Sequence, residues 1–309
     1  MTHQILKRLL GAIATLIVVT LITFVALESS SGDAASALVG ESASQAQLQA
    51  LRAQLGLDQP LVVRFGVFLS HLVFKGDLGH SLISNKPVSD LLLERLPYTF
   101  SLAFIAAILA TIMGMLIGIA AAVKAGSIFD TILMSGAALG LAIPTFWSAL
   151  LLMLLFSVRL RWLPVVGADD WRYLILPAVT LAMPTAATIA RLMRSSLLDV
   201  LRSDYVRTAR SKGLTSNQVL TRHVVRNSLI PIITMLGLQL GYLLGGAFIV
   251  ETIFGWPGLG RLTVQAIFDR DYPVVLGTTL TVAVVFIVVN FLVDLAHGWL
   301  DPQVAHKTL

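Results

Sequence analysis

Between residues 191 and 226 stand eight Arg or Lys and only two Asp, a local excess of +6. Cations at that density recognise and steer; they do not make or break bonds. Holding all eight at mid-bilayer would cost at least ~20 kcal/mol, at ~2.5 kcal/mol each. The segment therefore lies in water, on the side of a membrane that retains positive charge. Within it, Gly213 separates two runs of helical length, 205–212 and 215–227. A glycine there supplies the left-handed turn that ends one helix, and Thr215 or Ser216 can cap the next. Two short helices joined by a bend make a knob that a partner can grip.

Bond-making constellations are missing from the rest of the chain. There is no Gly-rich phosphate loop ending in Gly-Lys-Ser/Thr, no H-E-x-x-H and no G-x-S-x-G elbow. The six histidines are scattered, with His223 on the basic loop and His297 at the end of the last apolar run. Cysteine is absent, which excludes disulfides, thiolate metal sites and cysteine acylation. The polypeptide by itself is expected to be no enzyme, to hold no metal and to carry no cofactor.

Hydrophobic residues make up 56% of the chain and charged ones 13%, with a mean hydropathy of +0.84, the balance of a membrane protein. The net charge of +5 does not point to nucleic acid, because the basic residues cluster beside apolar runs. Six of those runs are long enough to cross about 30 Å of hydrocarbon: 9–27, 99–123, 131–158, 174–193, 229–250 and 274–295. The first resembles a signal peptide, with Ala35-Ser36-Ala37 as a cleavage-like site, but its length favours an uncleaved anchor. Lys7, Arg8, Lys124, the 191–226 cluster and Lys307 fall on one side, 12 of the 22 basic residues. That side is cytoplasmic by the positive-inside rule, and so are both termini. Arg159, Arg161 and Arg172 fit the rule poorly, since they lie outside.

The outer segment, 28–96, is far longer than an ordinary connector. Ser44 can cap a helix over 45–55 that ends at Gly56; Pro60 starts an amphipathic stretch over 61–74, and Pro87 opens another over 88–96. It serves either as a lid on the bundle or as a docking surface. Inside the spans, Gly114 with Gly118, Gly136 with Gly140, and Gly237, Gly241 and Gly245 recur at spacing four. They suit either close helix packing or a moving, path-lining interface. Pro144 and Pro184 are expected to kink their spans. Gln239 and Asn290 are the polar side chains at depth, Gln239 lining a path or bonding a neighbouring helix; Glu251 and Asp294 sit at span ends.

Residues 204–214, Asp-Tyr-Val-Arg-Thr-Ala-Arg-Ser-Lys-Gly-Leu, followed by Arg222-His223 and Asn227-Ser228-Leu229-Ile230-Pro231, resemble the signature cytoplasmic loop of binding-protein-dependent ABC importer permeases. The variant is that of the dipeptide/oligopeptide/nickel branch. Residues 251–260 (Glu-Thr-Ile-Phe-Gly-Trp-Pro-Gly-Leu-Gly), 270–273 (Arg-Asp-Tyr-Pro), 55–60, 76–79 and Asp301-Pro302 also fit. The long outer segment resembles that of the first of the two permeases in such systems. There are two departures. The general signature's Glu-Ala-Ala reads Arg207-Thr208-Ala209, and Pro-Gly-Asp-Pro reads Ser31-Gly32-Asp33-Ala34.

The resemblance implies an all-α, six-span, type I permease fold in a prokaryotic cytoplasmic membrane. It divides into an anchor helix (1–27), an extracytoplasmic segment (28–96), a five-helix core (97–299) containing the coupling loop 195–228, and a cytoplasmic tail (300–309). It implies a second homologous permease, two ATPase subunits carrying ATP and Mg, an external solute-binding protein and a peptide substrate. Asp204, Tyr205, Arg207, Thr208, Ala209, Arg210, Lys212, Gly213, Leu214, His223 and Pro231 would couple to the ATPase. Glu251, Trp256, Pro257, Gly258, Asp271 and Tyr272 would form an outer gate or meet the binding protein; for Trp256 the alternative is an interfacial belt position. Pro144, Gln239, Gly241 and Gly245 would line the path. Nickel is the alternative substrate; Met113, Met115, Met134, Met153, Met183, Met193 and Met235 lie in spans, but no His or acid does at mid-depth. An ion-coupled secondary transporter would need intramembrane charge that the spans lack. A scaffold whose spans only anchor the outer segment is the third class.

Overall fold

A computed structural model describes residues 2–29, 45–54, 56 and 58–300, and for some helix residues, His223, Asp294 and His297 among them, the backbone alone. The expected cap at Ser44, the 31–34 turn and the tail with Asp301-Pro302 lie outside the described residues. Every regular element described is helical, apart from one isolated antiparallel bridge between His80 and Pro87. Five helices are long and apolar enough to cross a membrane, and a bent pair brings the number to six. The chain divides into two compact units: the described residues up to 99 with 257–288, and 100–256 with 289–300.

The first unit contains α1 (Thr2–Ser29), α2 (Gln45–Gln54), α3 (Leu61–Lys75), the start of α4 (Val88–Val123), α11 (Leu259–Phe268) and the start of α12 (Tyr272–Leu300). As expected, Pro60 opens α3: its carbonyl accepts the Val63 and Arg64 N–H groups. Gly76 closes it at φ +62°, with the Gly76 and Asp77 amides on the Leu72 and His71 carbonyls. Val88 and Leu92 of α4 share a core with Leu259, Ala266, Val274 and Val275.

The second unit is built around α7 (Arg172–Leu201), the most buried of the candidate spans. Ala178, Ala182, Ala186 and Ala190, all buried, form a small-residue face along it. Against that face lies α4. A Cβ on Gly114 would stand 2.7 Å from the Ala186 carbonyl oxygen, and one on Gly118 2.6 Å from that of Ala190. α10 (Arg226–Phe254) packs on α7 too, and Gly246 admits Leu181.

Two expectations need correcting. The stretch 88–96 is not separate from the span that follows; α4 continues through Pro97 for 36 residues, about 54 Å at 1.5 Å per residue. A proline costs the helix one hydrogen bond, while packing residues on both sides of it keep the helix whole. The span expected over 131–158 is instead broken, not kinked: α5 (Ile128–Ala142) and the helix from Thr145 to Arg159 meet at 107°. Ile143, forced out of helical geometry by the following ring, is extended at ψ 124°. The Pro144 carbonyl then starts α6 (Thr145–Leu152) by accepting the Trp147 and Ser148 amides, and a π-helical turn, Met153–Arg159, follows. Pro184, by contrast, lies inside an unbroken α7.

Gly118→Ala should cost about 1–3 kcal/mol, since the methyl meets backbone rather than a movable side chain. Gly136→Ala, with nothing within 4 Å of the new methyl, should be neutral or stabilise by up to about 1 kcal/mol. Thermal unfolding in detergent compares the two; equal midpoints would remove the close approach as the basis of the α4–α7 contact.

Candidate functional site

The basic loop begins where α7 ends. Ser203 is extended (φ −70°, ψ 151°) and leads into α8 (Asp204–Ser211). Val206 and Ala209, three apart, turn inward and join the core around α7, with Leu214 packed beside them. Asp204, Tyr205, Arg207, Thr208, Arg210 and Lys212 are exposed. Gly213 adopts φ +83°, with open space where a Cβ would stand, so the demand for glycine is conformational, not steric. Thr215 and Gln218 form a reciprocal capping box: the Thr215 amide donates to Gln218 Oε1 at 3.0 Å, and the Gln218 amide to Thr215 Oγ1 at 3.4 Å. Across the bend, Asn227 Nδ2 donates to the Tyr205 hydroxyl at 2.8 Å.

The second arm differs from the short helix expected over 215–227. α9 (Ser216–Val219), a π-helical turn (Leu220–Val225) and α10 follow without a break, the joining residues Val219, Val225 and Arg226 all being right-handed helical. No Gly or Pro interrupts 216–230, and the partly buried Pro231, already inside α10, deletes only one N–H. The arm is thus the end of a span. His223 falls in the π turn, its side chain outside the description. With Arg202 and Arg226 also exposed, the loop presents a cationic face on a packed base, suited to an acidic groove.

Sequence reasoning missed one partner of this assembly. Arg194, on α7 about two turns before its end, grips Asp130 of α5 with two parallel bonds, Nε to Oδ1 and Nη2 to Oδ2, each 2.6 Å. The Gly126 amide adds a third bond to Oδ2 at 2.9 Å. Asp130 is 6% exposed and Arg194 30%. The signal was present as Ser-x-x-Asp at 127–130 before an apolar run, and Ser127 does cap α5 by accepting the Asp130 amide. Nothing local, however, names Arg194 as the partner.

The outer residues are placed differently from the expectation. Trp256 is 6% exposed and lies in the second unit's core, so neither an interfacial belt nor direct contact with a partner describes its indole here. Glu251 is fully buried, and its carbonyl accepts the Trp256 amide at 2.9 Å. Asp271, 4% exposed, is not a contact surface either: its carboxylate accepts Ser81 Oγ at 2.5 Å and the Leu82 amide at 3.0 Å, holding the 79–87 loop in place. Gly258 is buried, and Pro257 and Tyr272 are half-buried.

The residues assigned to a path do not form one surface. On α10, Leu238, Tyr242, Gly245, Ile249 and Thr252 make an exposed stripe at alternating spacings of four and three. Gly245 belongs to it; Gly241 is buried, Gln239 half-buried, and Gly237 packs on Val293. Pro144 is the break between α5 and α6. Tyr242, the polar aromatic of the stripe, escaped the sequence reading because hydropathy counts a span-embedded tyrosine as ordinary.

The model described as "Binding-protein-dependent transport system inner membrane component" matches residues 114–306, and its N-terminal counterpart matches 1–103. The glutathione transport system permease protein GsiC of Salmonella choleraesuis (strain SC-B67) is 44% identical over 307 residues, 99% of this chain and 100% of that protein. GsiC of Escherichia coli (strain K12) is 42% identical over the same length, with the same coverage. Among solved structures, the inward-facing MetNI methionine ABC transporter superposes with a TM-score of 0.57 at 19% identity, covering 68% of this chain and 96% of that one. An amino acid ABC transporter gives 0.54 at 18%, covering 68% and 94%. Fold and loop together define a type I permease of an ABC importer, a class that works with ATPases, a solute-binding protein and a second permease. The chain belongs to the family of binding-protein-dependent transport system inner membrane components.

Asp130→Asn and Arg194→Gln should each lower the thermal midpoint, and the double variant should fall little below the worse single one. Fully additive losses in that double-mutant cycle would show that the two side chains do not act as a pair.

Proposed function

We propose that this permease forms half of the translocation path for short peptides, of about the size of glutathione, handed over by an external solute-binding protein. The observation that carries the substrate class is the 44% identity, over essentially the whole of both chains, to a permease named for glutathione, itself a tripeptide. ATP and Mg act on the partner ATPases. The exposed residues Asp204, Tyr205, Arg207, Thr208, Arg210 and Lys212 seat in an ATPase groove, with Ala209, Leu214 and Pro231 in the packed base beneath them. Closure of the ATPase pair moves this base as one body and turns the permease outward. Driving such an element from 1:99 to 99:1 takes ~5.5 kcal/mol of differential binding, which a packed base transmits and a loose loop would dissipate. Along the path, the Tyr242–Gly245 stripe of α10 and the break at Pro144 meet the peptide.

Uptake into vesicles holding the assembled complex tests the substrate. Labelled glutathione and small peptides should accumulate with ATP and compete with one another; accumulation of Ni²⁺ alone, unaffected by peptides, would overturn the assignment. For coupling, Gly213→Val forces a β-branched residue to positive φ, at about 1–2 kcal/mol or more. It should cut uptake about tenfold per ATP hydrolysed, whereas Gly213→Asn, which tolerates that region, should retain most of it. Normal coupling in the valine variant would end the proposed role of the bend.

A further inference from the structure

α3 is amphipathic, with Arg64, His71 and Lys75 on one side and Val62, Val63, Val73 and Phe74 away from them, yet none of its 15 residues is buried. Its inner face packs on α1 through an edge-to-face contact of Phe65 with Phe24 at 5.6 Å. Its outer face leaves Val62, Val73 and Phe74 at 78%, 72% and 86% exposure. A helix in water does not present such a face. Depth says what covers it. The apolar stretch of α1 is Arg8–Leu27, and Phe24 lies three residues from its outer end, about 5 Å at 1.5 Å per residue. That is the depth at which an interfacial helix buries its apolar side. The face is therefore continuous with the lipid-facing surface of the span it rests on.

Below α3, within the same unit, is a cleft of about 360 Å³ with an apolar floor that includes Phe24, Phe68, Leu78 and Leu276. Arg64, His71 and Asp77 also line it. Arg64 lies over the Phe24 ring at 5.5 Å. One oxygen of Asp77 takes the Gly79 amide at 2.8 Å, which leaves the other for a ligand. Hydrocarbon walls bearing one cation and one anion suit a molecule with acyl chains and a head carrying both charges.

We infer that α3 is seated in the extracytoplasmic leaflet and that its cleft takes one ethanolamine phospholipid. The acyl chain lies on the phenylalanines and leucines, the phosphate meets Arg64 and His71, and the ammonium donates to Asp77. A choline head offers no N–H donors and fits less well. α3 thereby sets the height of the outer segment on the bilayer.

Because the chain has no cysteine, single cysteines at Val63, Val73 and, as a water control, Lys86 can carry nitroxides in the purified chain in lipid nanodiscs. Positions 63 and 73 should collide with oxygen rather than with a water-soluble nickel chelate, as a label at Ile17 does. Chelate access equal to that at position 86, or shielding that appears only when the solute-binding protein is added, would overturn the seating. Native mass spectrometry of the assembled complex then reads the cleft. Ethanolamine lipid should be retained over choline lipid, Arg64→Gln should reduce retention about tenfold, and Asp77→Asn should abolish the headgroup preference. Equal retention of the two lipids by the unaltered complex, or displacement of the lipid by a tripeptide, would overturn the site.

Discussion

Helices in hydrocarbon gain nothing by hiding apolar side chains from one another, because lipid is as apolar as leucine. Whatever gathers these spans must come from close contact. Here it comes from missing side chains: Gly114 and Gly118 let α4 reach the backbone of α7 at Ala186 and Ala190, and alanines at four-residue spacing let α7 be approached along its length. A central helix so lined is buried by its neighbours, and its cytoplasmic end is held in a defined place.

That end is where charge takes over from packing. Arg194 closes on Asp130 with two bonds, so the start of α5, beside the short 124–127 turn, is tied to the helix that leads into the basic loop. α8 sets Val206 and Ala209 into the core that α7 organises. The second arm has no joint at all, because α9, the π turn and α10 run on as one helix. The chain turns between the arms at Gly213, φ +83°, and the capping box at Thr215 and the Asn227–Tyr205 bond restrict that bend. An exposed cationic face on so constrained a base is what a push from a neighbouring subunit would require.

On the extracytoplasmic side, buried polar groups position backbone and do not face outward. Asp271 holds the 79–87 loop through Ser81 and Leu82, and the Leu259 amide donates to Thr99 Oγ1 at 2.8 Å. A residue pattern cannot separate these roles. Glu251, Trp256 and Asp271 fall in recognisable motifs whether their side chains point at a partner or into the protein, and burial alone distinguishes the two.

The sequence by itself determined what depends on composition and local geometry. Apolar length located the candidate spans, cation density marked the basic segment 191–226, and Gly213, Thr215 and Pro60 set turns and caps that follow from backbone sterics. Only the tertiary structure decided what depends on distant neighbours. Pro97 is carried through while Pro144 breaks its span, because the outcome rests on the packing either side of the ring. Gly118 is constrained where Gly136 is free, because one faces a backbone carbonyl and the other open space. Asp130 found Arg194 across 64 residues, a pairing with no local signature, since ion pairs form by proximity in space and the chain's order does not encode it.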